Sequence, residues 1–519
     1  MNRSLLSIKT IALSALLVFS LSCEPKLIVP DNSDDEFESI NVGSSQSITF
    51  TFSDSSITAS KSSDTYNIDG TNLTVKASGS YKVNGNCSNG SITIQKGTTD
   101  VNLTFDSITL SCDYTAPLFC GKESNVTLYL NGNSTLTDKE DPADEDSSDS
   151  AKADAFEGAC IKAKSNSVLT IKGEGTLNVD ASNCKNGIIG LTEVAINIES
   201  GTVNVKAANK GISSRGSLNI TGGNVNVQAV KGIESDPDYE LDDVARKTAS
   251  FVGGTVTISG GTITVRAEDE AIKAASRLEI GIKGNPSGPK IDVTKSENGI
   301  AAAQVFLYSG NGTIISNNDG IKAAYKRFTN TDESDAGYQY ANDLYSAFKE
   351  KYGDFLMEFD GGSWFVDAAG DGLDSDGEIM MNGGNLTVFG SEGNDDAAVD
   401  YETVFEINDG QILAIGTVNM AVYPTRTPEG KSYVAFGDRG QIDPVVYPVN
   451  PDYMVPPSIK KGDKIVVKDS ENNIVASTTA VKNANWVMFA LTDEDKSYLL
   501  YINDVECRES ENSGEHLAR

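Results

Sequence analysis

The sequence predicts an all-β chain whose main body is a parallel β-helix, a solenoid of stacked rungs. Three observations carry this. The 519 residues include 48 glycines but only 14 prolines, a composition that suits tight turns between strands. A short phrase, a polar residue followed by Gly or Ala and then Ile or Leu, recurs along the chain. Its copies are Asn186-Gly187-Ile188, Lys210-Gly211-Ile212, Lys231-Gly232-Ile233, Glu270-Ala271-Ile272, Asn298-Gly299-Ile300, Asp319-Gly320-Ile321 and Asp371-Gly372-Leu373, with Cys160-Ile161-Lys162-Ala163 upstream. Uninterrupted copies lie 21 to 24 residues apart, and longer gaps hold insertions. Between copies, apolar and polar residues alternate, as in SLNITGGNVNV from Ser217 and TVTISGGTITV from Thr255. Period two marks strands, and the Gly-Gly pairs mark turns. A β-sandwich would also alternate, but it would not keep a fixed offset.

The elements follow in chain order. Residues 1–23 read as an export signal, with a basic start at Arg3 and Lys9 and an apolar run over 11–21 that is too short to span a membrane. The run ends in Ser20-Leu21-Ser22-Cys23, which resembles a bacterial lipobox with Ser20 in place of the usual Leu. The expectation is cleavage before Cys23 and lipidation of its thiol. That makes an exported lipoprotein, periplasmic or at the cell surface, held to the membrane by its lipid alone. Residues 24–46 are acidic and Ser-rich and read as a flexible tether.

The β-helix is expected over 47–417, with insertions at about 138–157, 235–250 and 325–358. Residues 73–75, 91–94, 101–105 and 126–130 are its first strands, and the acidic 138–157 insertion reads as a disordered loop. Outside the cytoplasm disulfides are allowed. Cys87 and Cys112 are 25 residues apart and Cys160 and Cys184 are 24 apart, close to one rung, so each pair is expected to bridge. Cys120 and Cys507 have no evident partner. From 418 to 519 come a proline-containing linker, four candidate strands forming a small β domain or cap, and a frayed tail. A solenoid needs its open end covered.

Charge narrows the function. Lysine and arginine number 42 against 74 acids, a net charge of −32. Such a field repels phosphate backbones, which excludes nucleic acid as a partner, and attracts cations. Ca²⁺ is the cation that carboxylates and carbonyls hold best. The one histidine, His516, lies near the C-terminus, which excludes most Ser-His, Cys-His and His-ligated zinc chemistry.

The stretches NGSITIQKGTTDVNLTFDSITL, GEGTLNV, DGIKAA and DGLDSDGEIMMNGGNLTV, with KKGDKIVVKDSENNIVAS in the tail, resemble the secreted calcium-binding, carbohydrate-binding β-helix family. Its members are similar in fold to pectate lyases. The resemblance covers roughly residues 65–420. It implies a right-handed β-helix, surface Ca²⁺ sites, and binding of plant cell-wall-type polysaccharide without established cleavage. The tyrosine-rich insertion after Ala324 departs from the family pattern.

Stacking then brings carboxylates together. Gly372-Leu373-Asp374-Ser375-Asp376 aligns with Ala398-Val399-Asp400-Tyr401-Glu402, so Asp374 should lie over Asp400 and Asp376 over Glu402. Asp371 should stack on Asp319, with Asp395 and Asp396 entering from the next turn. Like charges about 5 Å apart repel unless a cation lies between them. A second, weaker cluster is Glu234 and Asp236 with Glu268, Asp269 and Glu270, where Lys273 could instead neutralise Glu234. The same register forms a row of Glu234, Lys273, Ala301, Lys322 and Asp374, with Lys162 at the equivalent place upstream.

Three functions fit. The leading one is non-catalytic, Ca²⁺-dependent binding of a neutral or acidic polysaccharide. In the second, a pectate-type lyase, Lys322 or else Lys273 would abstract a proton beside a metal-acidified carboxylate. The third is an adhesive surface protein without a glycan ligand. For sugar stacking the candidates are Tyr338, Tyr340 and Tyr345 in the insertion, together with Trp364 and Tyr401. The competing reading has the insertion's rings packing on the solenoid flank.

Overall fold

The computed structural model describes residues 47–237, 254–324, 346, 348–393, 395–437 and 457–507. Parallel strands build it rung upon rung, three to a rung. One typical rung runs through Lys210–Ile220, which turns a corner midway, and then Asn224–Ala229. Leu218–Ile220 pairs with Ile196–Ile198 on one side and Val256–Ile258 on the other, while Val225–Val227 pairs with Val203–Val205 and Ile263–Val265, every ladder parallel. Antiparallel hairpins, the alternative for such sequences, do not occur there.

The recurring Gly-Ile phrase explains itself in this geometry. Ile161, Ile188, Ile212, Ile233, Ile272, Ile300, Ile321 and Leu373 stand directly opposite one another on successive rungs. All are fully buried. Each contributes about 1.5–3 kcal/mol of apolar burial. The preceding glycine sits at a corner where rungs nearly touch. A Cβ on Gly320 would lie 2.5 Å from the carbonyl oxygen of Gly372 and 2.2 Å from Val366 Cγ1. Polar positions stack too: Asn204 Nδ2 donates to Asn178 Oδ1, and Asn226 Nδ2 to Asn204 Oδ1, each at 2.9 Å.

Both ends are closed. Ile48–Phe52 and Ile57–Ala59 form a hairpin against the first rung, and Phe50 meets Tyr66 edge-on at 4.8 Å. At the other end Trp486–Asp493 lies antiparallel across Ile412–Gly416, burying Trp486, Met488 and Ala490 in the solenoid core. Lys431–Phe436 pairs with it, and a separate four-stranded antiparallel sheet holds Lys464–Asp469, Ile474–Thr479, Tyr498–Ile502 and Val505–Glu506.

Several expectations need correction. The 138–157 insertion is ordered: it holds a 3₁₀ turn, Pro142–Asp144, and a short helix, Ser150–Ala155, capped by Asp141 and Asp149. The expected disulfides are absent, and Cys87, Cys112, Cys160 and Cys184 are buried free thiols. Register is the reason. Cys87 faces Leu110, two residues short of Cys112, and Cys160 sits opposite Gly187, three residues past Cys184. A two-residue slip along the strand combined with the ~4.8 Å step between rungs separates Cα atoms by about 8 Å, beyond disulfide reach.

Trp364 is no stacking platform. It is 2 % exposed because its strand turns Trp364 and Val366 inward, and Gly312 on the preceding rung leaves room for the indole. Tyr338, Tyr340 and Tyr345, residues 238–253 and the signal and tether lie outside the described residues. The described end of the large insertion packs on the solenoid. Phe348 is fully buried and lies 6.4 Å from Phe355, and Gln304 Nε2 donates to the carbonyls of Tyr352 and Asp354.

Candidate cation site and glycan face

One face of the solenoid carries the chemistry. Its row runs Lys162, Ile189, Ser213, Glu234, Lys273, Ala301, Lys322, Asp374, Asp400, each residue in register with the next. Each follows one of the inward isoleucines or their equivalents, so strand alternation puts it on the opposite side of the sheet. The expected stacking of Asp374 on Asp400 is therefore present.

The row ends in an acidic centre. Asp319, Asp371 and Asp374 each bring a carboxylate oxygen within 4.8 Å of the others. Backbone amides hold two of them: Asp319 Oδ1 accepts from Asp371 N at 3.2 Å, and Asp371 Oδ1 accepts from Ala397 N at 2.6 Å. Burial pushes Asp371 up to about 7, with Asp374, Asp319 and Asp400 adding repulsion. Burial also lifts Asp374 to about 6, against the pull of Lys322. Asp376 and Asp396 are raised in the same way, and Glu402 and Asp395 respectively contribute repulsion.

A cation already stands here. The Lys322 ammonium lies 2.7 Å from Asp319 Oδ2 and also donates to Asp374 Oδ2. Burial works to lower its pKa, but the two carboxylates outweigh burial and hold it well above the ordinary value. An ammonium so held does not accept a proton at neutral pH, which works against the base role. Lys273 is likewise ion-paired, 3.0 Å from Glu270 Oε1 and 3.6 Å from Asp236 Oδ2. The centre fits Ca²⁺ in donor type and clustering, because oxygens from two successive rungs converge around a position that already tolerates a positive charge. Lys322 is the ion's internal competitor, and its side chain, 32 % exposed, has room to leave.

The second cluster differs. Lys210 Nζ is 2.5 Å from the buried Glu234, and Ser213 Oγ donates to the same Oε1 at 3.0 Å. Lys231 lies 3.4 Å from Asp269 and 3.6 Å from Glu270. Although burial opposes it, Lys273 and Lys231 hold Glu270 down at about 2. Glu268 does not join the cluster: it is exposed and pairs with Lys295. Three lysines interleave these acids, so there is no concentration of unbalanced charge like that at the last rungs.

Upstream on the same face lies a cavity of about 380 Å³, walled by the 138–157 insertion through Phe156 and Glu157 and floored by Lys162, Lys185, Lys210 and Arg215. Four cations against two carboxylates, Glu145 and Glu157, line it, the reverse of the chain's balance. Lys162 is 2.8 Å from Glu157, and Lys185 is 2.6 Å from Glu145. Of these four cations, sequence reading placed only Lys162 on this face. Lys162, Lys185 and the strand that carries both Lys210 and Arg215 belong to three successive rungs, and only the register gathers them. Tyr401, at the far end, is half-buried, with its hydroxyl donating to Tyr423 O at 2.9 Å and its ring 5.8 Å from that of Phe405.

A family model described as carbohydrate-binding domain-containing protein matches residues 69–330, just over half of the chain. The chain belongs to that family. The matched span includes the whole cavity, Asp319 and Lys322, but not Asp371, Asp374 or Asp400. Among solved structures, the chain is similar to the polysaccharide lyase-like protein from C. thermocellum, determined as a gadolinium derivative. Identity is 24 %, the TM-score is 0.39, and the match covers 51 % of this chain and 97 % of that one. No curated protein matches. This carbohydrate-binding chain therefore presents one sheet face that is basic and hollowed at one end and acidic at the other.

Proposed function

We propose that the chain is a non-catalytic, Ca²⁺-dependent polysaccharide-binding lipoprotein, exported and tethered through Cys23, with the glycan lying along the sheet face. The observation that carries the reading is the acidic centre: Asp319, Asp371 and Asp374 from successive rungs, backed by Asp400, on the face that also holds the cavity. Asp319, Asp371, Asp374, Asp376 and Asp400 would hold the ion. When bound, Ca²⁺ supplies open coordination positions for sugar hydroxyls or carboxylates. From Ser213 at the cavity to Asp374 is five rung steps, about 24 Å, a span for an oligosaccharide rather than a single sugar. The paired state of Lys322 and Lys273 favours binding over elimination.

The test is a glycan array of plant cell-wall polysaccharides, neutral and acidic, run with Ca²⁺ and with chelator. Retention that requires Ca²⁺, without release of unsaturated uronide, is expected. Uronide absorbance would turn the reading to a lyase, and an array blank in both conditions would turn it to an adhesive role.

A further inference from the structure

A second buried anionic cluster lies away from the acidic centre. Asp138, at the end of strand Asn133–Asp138, meets Glu140 and Cys184, each offering a ligand atom within 4.8 Å of the others. All three are more than nine-tenths buried. Asp138 Oδ1 takes the amide of Glu140 at 2.9 Å, but Oδ2 is buried with no hydrogen-bond partner. Glu140 accepts the amides of Glu157 and Gly158 at 2.7 and 2.8 Å, so its carboxylate staples the two ends of the insertion together. Among the described residues no lysine or arginine is ion-paired with Asp138 or Glu140. A buried carboxylate oxygen left unpaired is costly unless something cationic reaches it.

The local charges respond accordingly. Burial, with Asp138 nearby, raises Glu140 to about 7, and burial and the Asp138 charge push the Cys184 thiol well above its ordinary value. Asp138 itself is raised by burial. Each group therefore resists ionising while the cluster holds no positive charge.

We propose that Asp138, Glu140 and Cys184 form a structural site for a thiophilic divalent cation of the Zn²⁺ class, clasping the 138–157 insertion onto the rung that carries Cys184. A mixed sulfur and oxygen donor set selects Zn²⁺ or Cd²⁺ over Ca²⁺, which takes oxygen alone. Three protein ligands leave one position for water, and coordination releases the thiol proton to solvent as the metal–thiolate bond forms. The clasped insertion is the wall of the cavity, so the metal holds the glycan face in shape without touching the sugar.

The experiment titrates Cd²⁺ into the reduced, chelator-stripped chain and reads the ultraviolet thiolate-to-metal charge-transfer absorption. One equivalent should saturate it in the wild type and in Cys160→Ser, whose thiol instead donates to Asp180 O at 3.2 Å. Cys184→Ser should abolish it. Asp138→Asn should weaken binding about tenfold or more, since even a supporting partner of a metal ligand is worth that. Zn²⁺ should also shield Cys184 from alkylation and 138–157 from protease in the wild type, a readout that needs no variant to fold. No absorption in the wild type, absorption that survives Cys184→Ser, or displacement of Cd²⁺ by Ca²⁺ would overturn the proposal.

Discussion

The two anionic clusters, one partly and one fully buried, are built from the same materials and differ in one. At the last rungs, Asp319 and Asp374 close on the ammonium of Lys322, so the chain carries its own provisional cation. Beside the 138–157 insertion, Asp138 and Glu140 close on a thiol, with no described lysine or arginine paired to either, and Asp138 Oδ2 is left unpaired. The first arrangement is a site from which an ion must evict a lysine. That suits a weaker, exchangeable, ligand-coupled ion. The second has only protons to displace and is buried, which suits a permanent one.

The largest effect that would separate the regions is on packing. Trp364 shares a rung with Asp371 and Asp374. Trp364→Ala should cost about 3–5 kcal/mol and loosen the acidic centre. In a solenoid each rung leans only on its neighbours, so Cd²⁺ absorption at Cys184 should be untouched. Urea unfolding and the Cd²⁺ titration on one variant check both halves. Loss of the Cd²⁺ signal would show that the two clusters are not independent.

Next comes the built-in cation. In chelator, Lys322→Met should cost ~2 kcal/mol, less than the ~3–5 kcal/mol of a fully buried pair because the lysine is 32 % exposed. Ca²⁺ should recover that loss and bind the variant more tightly than it binds the wild type, as calorimetric titration would show. Weaker Ca²⁺ binding by Lys322→Met would mean that the lysine supports the ion rather than competes with it.

A third effect is the pH dependence of the metal-free chain. Asp371 at about 7, Asp374 at about 6 and Glu140 at about 7 all lie above their unfolded values. The folded state therefore binds more protons than the unfolded one between about pH 4 and pH 7. The contribution of these three groups is full below that window and falls as pH rises through it. Urea midpoints measured in chelator should decline across the window. Asp371→Asn and Glu140→Gln should each flatten part of the decline, one per cluster.

How much of this could be read from sequence follows the same division. The isoleucine ladder and the pairing of Asp374 with Asp400 were legible because β pairing turns a constant repeat into constant register. The Lys162-to-Asp374 row came from the same arithmetic. Cysteine pairing failed because spacing in sequence includes the turns, whose lengths vary, whereas bridging depends on strand register alone. Trp364 was misplaced because its strand reads Ser-Trp-Phe-Val, with Phe365 also apolar, so alternation did not say which ring faced in. Asp138 and Glu140 meet Cys184 across an insertion that breaks the repeat, and no period points to them. The basic cavity was missed for the same reason: its wall is that insertion.

The most direct test of the proposed Ca²⁺ binding at the acidic centre is thermal melting with Ca²⁺ and with chelator, on the wild type and on Asp374→Ala combined with Asp400→Ala. Linkage predicts a wild-type gain of about 2.7 kcal/mol at a hundredfold excess of Ca²⁺ over Kd, and none in the double variant. Identical wild-type melting in the two conditions, or a gain that survives both substitutions, would contradict it.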